Sequence, residues 1–93
     1  MKKPITAEKA AAIYAILVEE CEARAHDADG FIHEFTHDDP TSEWRFCGSL
    51  GFGGKFRYPR MTVDCYQEDE TPKRLAAIQK ANQRLEAYRD PAE

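Results

Sequence analysis

The first pattern in the chain is helical. Ala10, Ile13, Tyr14, Leu17, Val18, Cys21 and Ala25 recur at spacings of three and four, which places them on one helical stripe. Glu8, Glu19, Glu22 and Arg24 fall largely off it. Thr6 is a natural N-cap, and Glu8 stands in the first turn, where the helix dipole favours an acid. The spacing therefore predicts a helix over residues 6–25. The stretch His26-Asp-Ala-Asp-Gly30 ends it, with Gly30 as the breaker.

The period then changes to two. Phe31, His33, Phe35 and His37 alternate with Ile32, Glu34 and Thr36, which predicts a strand over 31–37. Asp38-Asp39-Pro40-Thr41-Ser42 reads as a turn. A second strand is expected over 43–50, with Trp44 and Phe46 on one face. Gly51-Phe-Gly-Gly54 reads as a loop. Phe56 and Tyr58 imply a third strand, Pro59-Arg60 a tight turn, and Met61, Val63 and Cys65 a fourth. The last two could instead be one strand bent at Pro59.

Gln67-Glu-Asp-Glu70 is a polar linker. Thr71-Pro72 then opens a helix, a capping threonine followed by proline at the first helical position. Leu75, Ile78, Asn82, Leu85 and Tyr88 form its stripe, and Asp90-Pro91 should stop it. The expected class is α+β: an N-terminal helix, a three- to four-stranded antiparallel sheet and a C-terminal helix, in one domain over 1–93. Short links imply antiparallel neighbours. Two amphipathic helices can cover one sheet face and leave the other open.

Composition changes this picture little. At 42% hydrophobic and 32% charged, the 93 residues are too apolar for general disorder. No apolar run approaches the ~20 residues of a membrane helix. Met-Lys-Lys-Pro leads into the amphipathic pattern and not into an apolar signal core. The expectation is a soluble protein of the (host) cytoplasm. Cys21, Cys47 and Cys65, odd in number and widely spaced, read as reduced, buried thiols.

Charge changes it more. Residues 19–43 hold nine acids and one base, a balance of −8, while residues 44–89 hold nine bases and five acids, a balance of +4. The acidic half would attract basic partners and repel nucleic acid. It would equally serve as solvated surface.

Four groupings invite a chemical reading. His26, His33 and His37 stand among aspartates, as in a metal cluster. On a strand, however, His33 and His37 would lie about 13 Å apart, at about 3.3 Å per residue. Zinc ligands sit about 2 Å from the ion, so no metal site is expected. Gly48-Ser-Leu-Gly51-Phe-Gly53-Gly54-Lys55 lacks the spacing and the hydroxyl residue of a phosphate loop, and it lies between strands. Lys55, Phe56, Arg57, Tyr58 and Arg60 alternate bases with aromatics, as in RNA-binding sheets. If the aromatics are core, the pattern is only a half-buried strand. No elbow motif surrounds Ser42 or Ser49, and no catalytic residue or cofactor is assigned.

Glu43-Trp-Arg-Phe46 with Leu50-Gly-Phe-Gly-Gly-Lys-Phe56, Val63-Asp-Cys-Tyr66 and Glu68-Asp-Glu-Thr-Pro72 resembles a pattern of small phage and prophage accessory proteins. Some of these are anti-CRISPRs, which bind host CRISPR–Cas complexes and keep them from target DNA. The resemblance spans residues 43–90 and concerns sheet, loop and helix start, so no catalytic residue carries over. It implies a host protein partner, a Cas protein, with the type I surveillance complex Cascade favoured. Such complexes hold nucleic acid in positively charged channels, which an acidic face could occupy. The residues expected to do so are Glu19, Glu22, Asp27, Asp29, Glu34, Asp38 and Asp39, with Phe52 as an aromatic anchor. The alternatives are a nucleic-acid-binding module on the Lys55–Tyr58 strand and a small enzyme or metal protein. Monomer and homodimer both remain open.

Overall fold

The computed structural model describes residues 3–48, 53–65 and 71–89. Helix α1 (Ala7–Cys21) starts where its cap predicts, with the Thr6 hydroxyl accepting from the Lys9 amide at 3.2 Å. It ends earlier than its stripe implies. Glu22 turns left-handed at φ 57°, and the following amide, Ala23 N–H, donates back to the Leu17 carbonyl at 3.1 Å. A 3₁₀ turn (Ala25–Asp27) then leads into helix α2 (Ala28–Phe35).

Helix α2 corrects the strand expected over 31–37. Phe31 and Phe35 are four residues apart, a spacing that puts them on one face of a strand and also of a helix. The histidines tell the two apart. At about 100° per residue, His33 stands about 200° from Phe31 on a helix, and it is exposed while both phenylalanines are fully buried. Nor does Gly30 break a helix; it lies within α2. A β-carbon there would stand 3.4 Å from the Trp44 ring, an ordinary contact, so the helix tolerates Gly30 without the packing requiring it.

The sheet has three antiparallel strands among the described residues, in the order β1 (Glu43–Cys47), β2 (Gly53–Arg57) and β3 (Thr62–Cys65). Trp44 pairs with Phe56 and Phe56 with Val63, so these side chains share one face. Of the glycines expected in a loop, Gly53 and Gly54 belong to β2. The Phe46 ring lies over Gly54, whose missing side chain makes the room. The turn at Pro59-Arg60 is as expected, and it separates two strands.

Thr71 caps helix α3 (Pro72–Leu85), accepting from the Arg74 amide at 3.3 Å. Ile78, Ala81 and Leu85 are its buried residues, while Leu75, placed in the stripe by spacing, is 45% exposed. Asn82 does something a stripe residue does not. Its carboxamide accepts from the Val63 amide at 2.7 Å and donates to the Val63 carbonyl at 3.0 Å. A side chain thus stands in for the next strand at the β3 edge, the position most exposed to unwanted pairing.

The helices cover one face of the sheet, as the α+β reading expects. Phe31 is the hub, its ring centroid 4.7–5.7 Å from those of Tyr14, Phe35, Trp44 and Phe56. The opposite face carries Glu43, Arg45 and Cys47, then Lys55 and Arg57, then Thr62 and Asp64. None of the described helices is long and apolar enough to cross a membrane.

Candidate functional site

The outer surface of α2 is the most distinctive part of the molecule. Burial of Phe31 and Phe35 fixes the roll of the helix, so Asp29 and His33 must face outward. Asp29 lies in the first turn, where the dipole stabilises its charge. The last turn is tied down from two sides: the Ile5 amide donates to the Phe35 carbonyl at 2.8 Å, and the Thr36 hydroxyl donates to the His33 carbonyl at 3.3 Å. His37, Asp38 and Asp39 follow at once, all exposed. Asp29, Glu34, Asp38 and Asp39 have no ion-pair partner among the described residues.

The remaining predicted acids are less free. Glu19 and the half-buried Glu20 both accept from Arg84 of α3, each at 2.9 Å, which pins α1 to α3 and raises the Arg84 pKa. Asp27 lies 3.2 Å from His26. Glu22, in the left-handed cap of α1, is half-buried, and its carboxylate has no ion-pair partner among the described residues. The acidic surface is therefore narrower than its sequence suggests and centres on α2 and the turn after it. Phe52, the proposed anchor, lies outside the described residues.

The nucleic-acid alternative loses its aromatics. Phe56 is 0% and Tyr58 6% exposed, packed against Phe31 and Phe35, so neither can stack on a base. Lys55 and Arg57 do face outward, on the open side of the sheet. Arg57 is engaged there, with Asp64 at 2.6 Å and Glu43 at 3.8 Å. Arg60 is exposed in the turn.

Two acidic side chains in the core are kept protonated. Burial, reinforced by Asp27, pushes the Tyr14 hydroxyl up to about 12, and that hydroxyl donates to the Arg24 carbonyl at 2.7 Å. Burial, with Glu20 and Cys65 adding to it, pushes the Cys21 thiol up to about 12. Neither can supply a nucleophile near neutrality. Cys47 corrects the expectation that all three thiols are buried, for it is exposed on the open sheet face, while Cys65 is half-buried.

The histidines depart furthest from expectation. With residues 31–35 helical and Thr36 and His37 turning after them, the 13 Å separation disappears, and the Nε2 atoms of His33 and His37 lie 2.9 Å apart. The rings meet edge to face with centroids 4.2 Å apart. The spacing of four was visible in the sequence, but the strand reading gave it the wrong distance. No third ligating residue joins them among the described residues. Comparison of the chain with protein-family models, curated proteins and solved structures finds no match in any of the three.

Proposed function

We propose that this protein is an interaction module that docks its α2 surface on a positively charged face of a larger host assembly and blocks that face. The observation that carries the reading is the set of carboxylates Asp29, Glu34, Asp38 and Asp39, unpaired among the described residues, around one short helix. Evenly spread solubilising charge would place bases among them. Here the nearest bases in sequence, Arg24 and Arg45, lie outside α2 and the turn after it. A compact anionic patch on a rigid helix can compete for a channel built to hold phosphates, and its attraction to such a channel is steered at long range.

The partner class follows from the resemblance of residues 43–90 to phage accessory proteins: a CRISPR–Cas surveillance complex, with the type I Cascade assembly the first to try. In this reading the protein has no catalytic centre and acts by occupancy. The test is displacement of labelled double-stranded DNA from purified Cascade by the intact chain. Wild type should displace DNA at stoichiometric concentration, and the Asp29→Lys, Glu34→Lys, Asp38→Lys, Asp39→Lys variant should not. No displacement by wild type would end the CRISPR assignment. Equal displacement by both chains would end the role of the α2 surface.

A further inference from the structure

We propose that His33 and His37 form a chelating site for a divalent transition-metal ion that takes ligands at right angles, Cu²⁺ or Ni²⁺. The inference goes beyond the docking role and does not depend on it. Three observations carry it.

The first is distance. Two nitrogens bound to one ion at about 2.0–2.1 Å lie about 2.9 Å apart at a right angle and about 3.4 Å apart at the tetrahedral angle. The observed Nε2···Nε2 separation is 2.9 Å. It matches the right-angled pair, the geometry of tetragonal Cu²⁺ and Ni²⁺ sites, more closely than the tetrahedral geometry of zinc.

The second is what holds the rings. As it stands, the 2.9 Å contact is a hydrogen bond that needs one Nε2 protonated and the other bare. An ion replaces the shared proton. The donating ring takes its proton on Nδ1 instead, both Nε2 lone pairs turn to the metal, and no net proton is released from the neutral pair. Both rings are exposed, so the open coordination positions can be reached by water or by an outside donor.

The third is the surrounding charge. Asp29 stands one turn before His33, Glu34 is adjacent to it, and Asp38 and Asp39 follow His37. His33 also sits in the last turn of α2, at the negative end of its dipole. Each of these favours a cation at the pair. Two imidazoles select a borderline transition ion over Mg²⁺ or Ca²⁺, which prefer oxygen donors.

The experiment is a calorimetric titration of the chelator-treated chain with Ni²⁺ and then Cu²⁺, beside His33→Gln, His37→Gln and His26→Gln variants. Wild type should bind one ion per chain at this pair, Cu²⁺ more tightly than Ni²⁺. Loss of either pair member should weaken that binding by roughly tenfold or more. His26→Gln should bind as wild type does. Paramagnetic broadening should strike the ring signals of His33 and His37 before that of His26. Equal Ni²⁺ binding by wild type and by a His33→Gln, His37→Gln double variant would overturn the proposal, as would no heat at millimolar Ni²⁺. Because both residues are exposed, circular dichroism should show the variants folded, so a loss of binding reports the site itself.

Discussion

The open face of the sheet and the outer face of α2 are both charged, and they handle charge in opposite ways. On the sheet, register places Glu43 beside Arg57 and Lys55 beside Asp64. Arg57 reaches Asp64 at 2.6 Å, and Arg45 reaches Glu43 at 3.0 Å. On α2 and the turn after it, Asp29, Asp38 and Asp39 are exposed and Glu34 half-exposed, none with a cation among the described residues. A sheet brings together residues distant in sequence, so cross-strand neighbours can be selected as pairs. A short helix displays only its own segment, and this segment carries acids but no lysine or arginine. In the proposed reading the unneutralised face is the one offered to a partner, and it also carries the His33–His37 contact.

The comparison breaks most completely if the faces lose their common support. Phe31 joins them, so Phe31→Ala should cost about 3–5 kcal/mol in denaturant unfolding, and α2 amides should lose hydrogen-exchange protection. Asn82→Ala should cost about 1–3 kcal/mol, because it strips both partners from the Val63 backbone. A cost near zero would mean that the β3 edge needs no cover. Reversing the four carboxylates of α2 and the turn after it should weaken partner binding by about tenfold or more, about 1.4 kcal/mol. Each reversal should change folding by under about 1 kcal/mol. Arg57→Ala on the sheet should do the opposite, leaving binding unchanged and costing about 0.2–1 kcal/mol of stability, less in high salt.

The smallest expected effect concerns acid. The hydrogen bond from Arg45, with Lys55 and Arg57 nearby, holds Glu43 below its ordinary 4.5. A carboxylate lowered on folding stabilises the native state above its unfolded pKa, and that contribution fades as pH falls below about 4.5 through the folded value. Glu43→Gln should therefore lower stability by a small, constant amount above about 5 and flatten the acid limb below it, the two curves converging as pH falls. An unchanged limb would show that the sheet pairs are too well solvated to matter.

Much of the architecture is legible in local chemistry. Thr6 and Thr71-Pro72 announce two helix starts, because a cap satisfies amides within three residues and needs no distant partner. Pro59-Arg60 announces the β2–β3 turn, and alternation around Phe56 announces a half-buried strand. The acidic bias of residues 19–43 is plain from composition alone.

What the chain could not decide locally is the state of residues 31–37. Phe31 and Phe35 satisfy both periods, and the aromatic cluster of Tyr14, Trp44, Phe56 and Tyr58, gathered from distant segments, rewards the helical one. That choice moves His33 and His37 from opposite ends of a strand to adjacent turns and gives the α2 surface its shape. Tertiary packing likewise buries Tyr58 and turns Asn82 to the β3 edge. The sequence by itself determined where the helices begin, where the chain turns and which segment is acidic, since those depend on neighbours a few bonds away. Only the tertiary structure decided which side chains meet, since that depends on what fills the space against them.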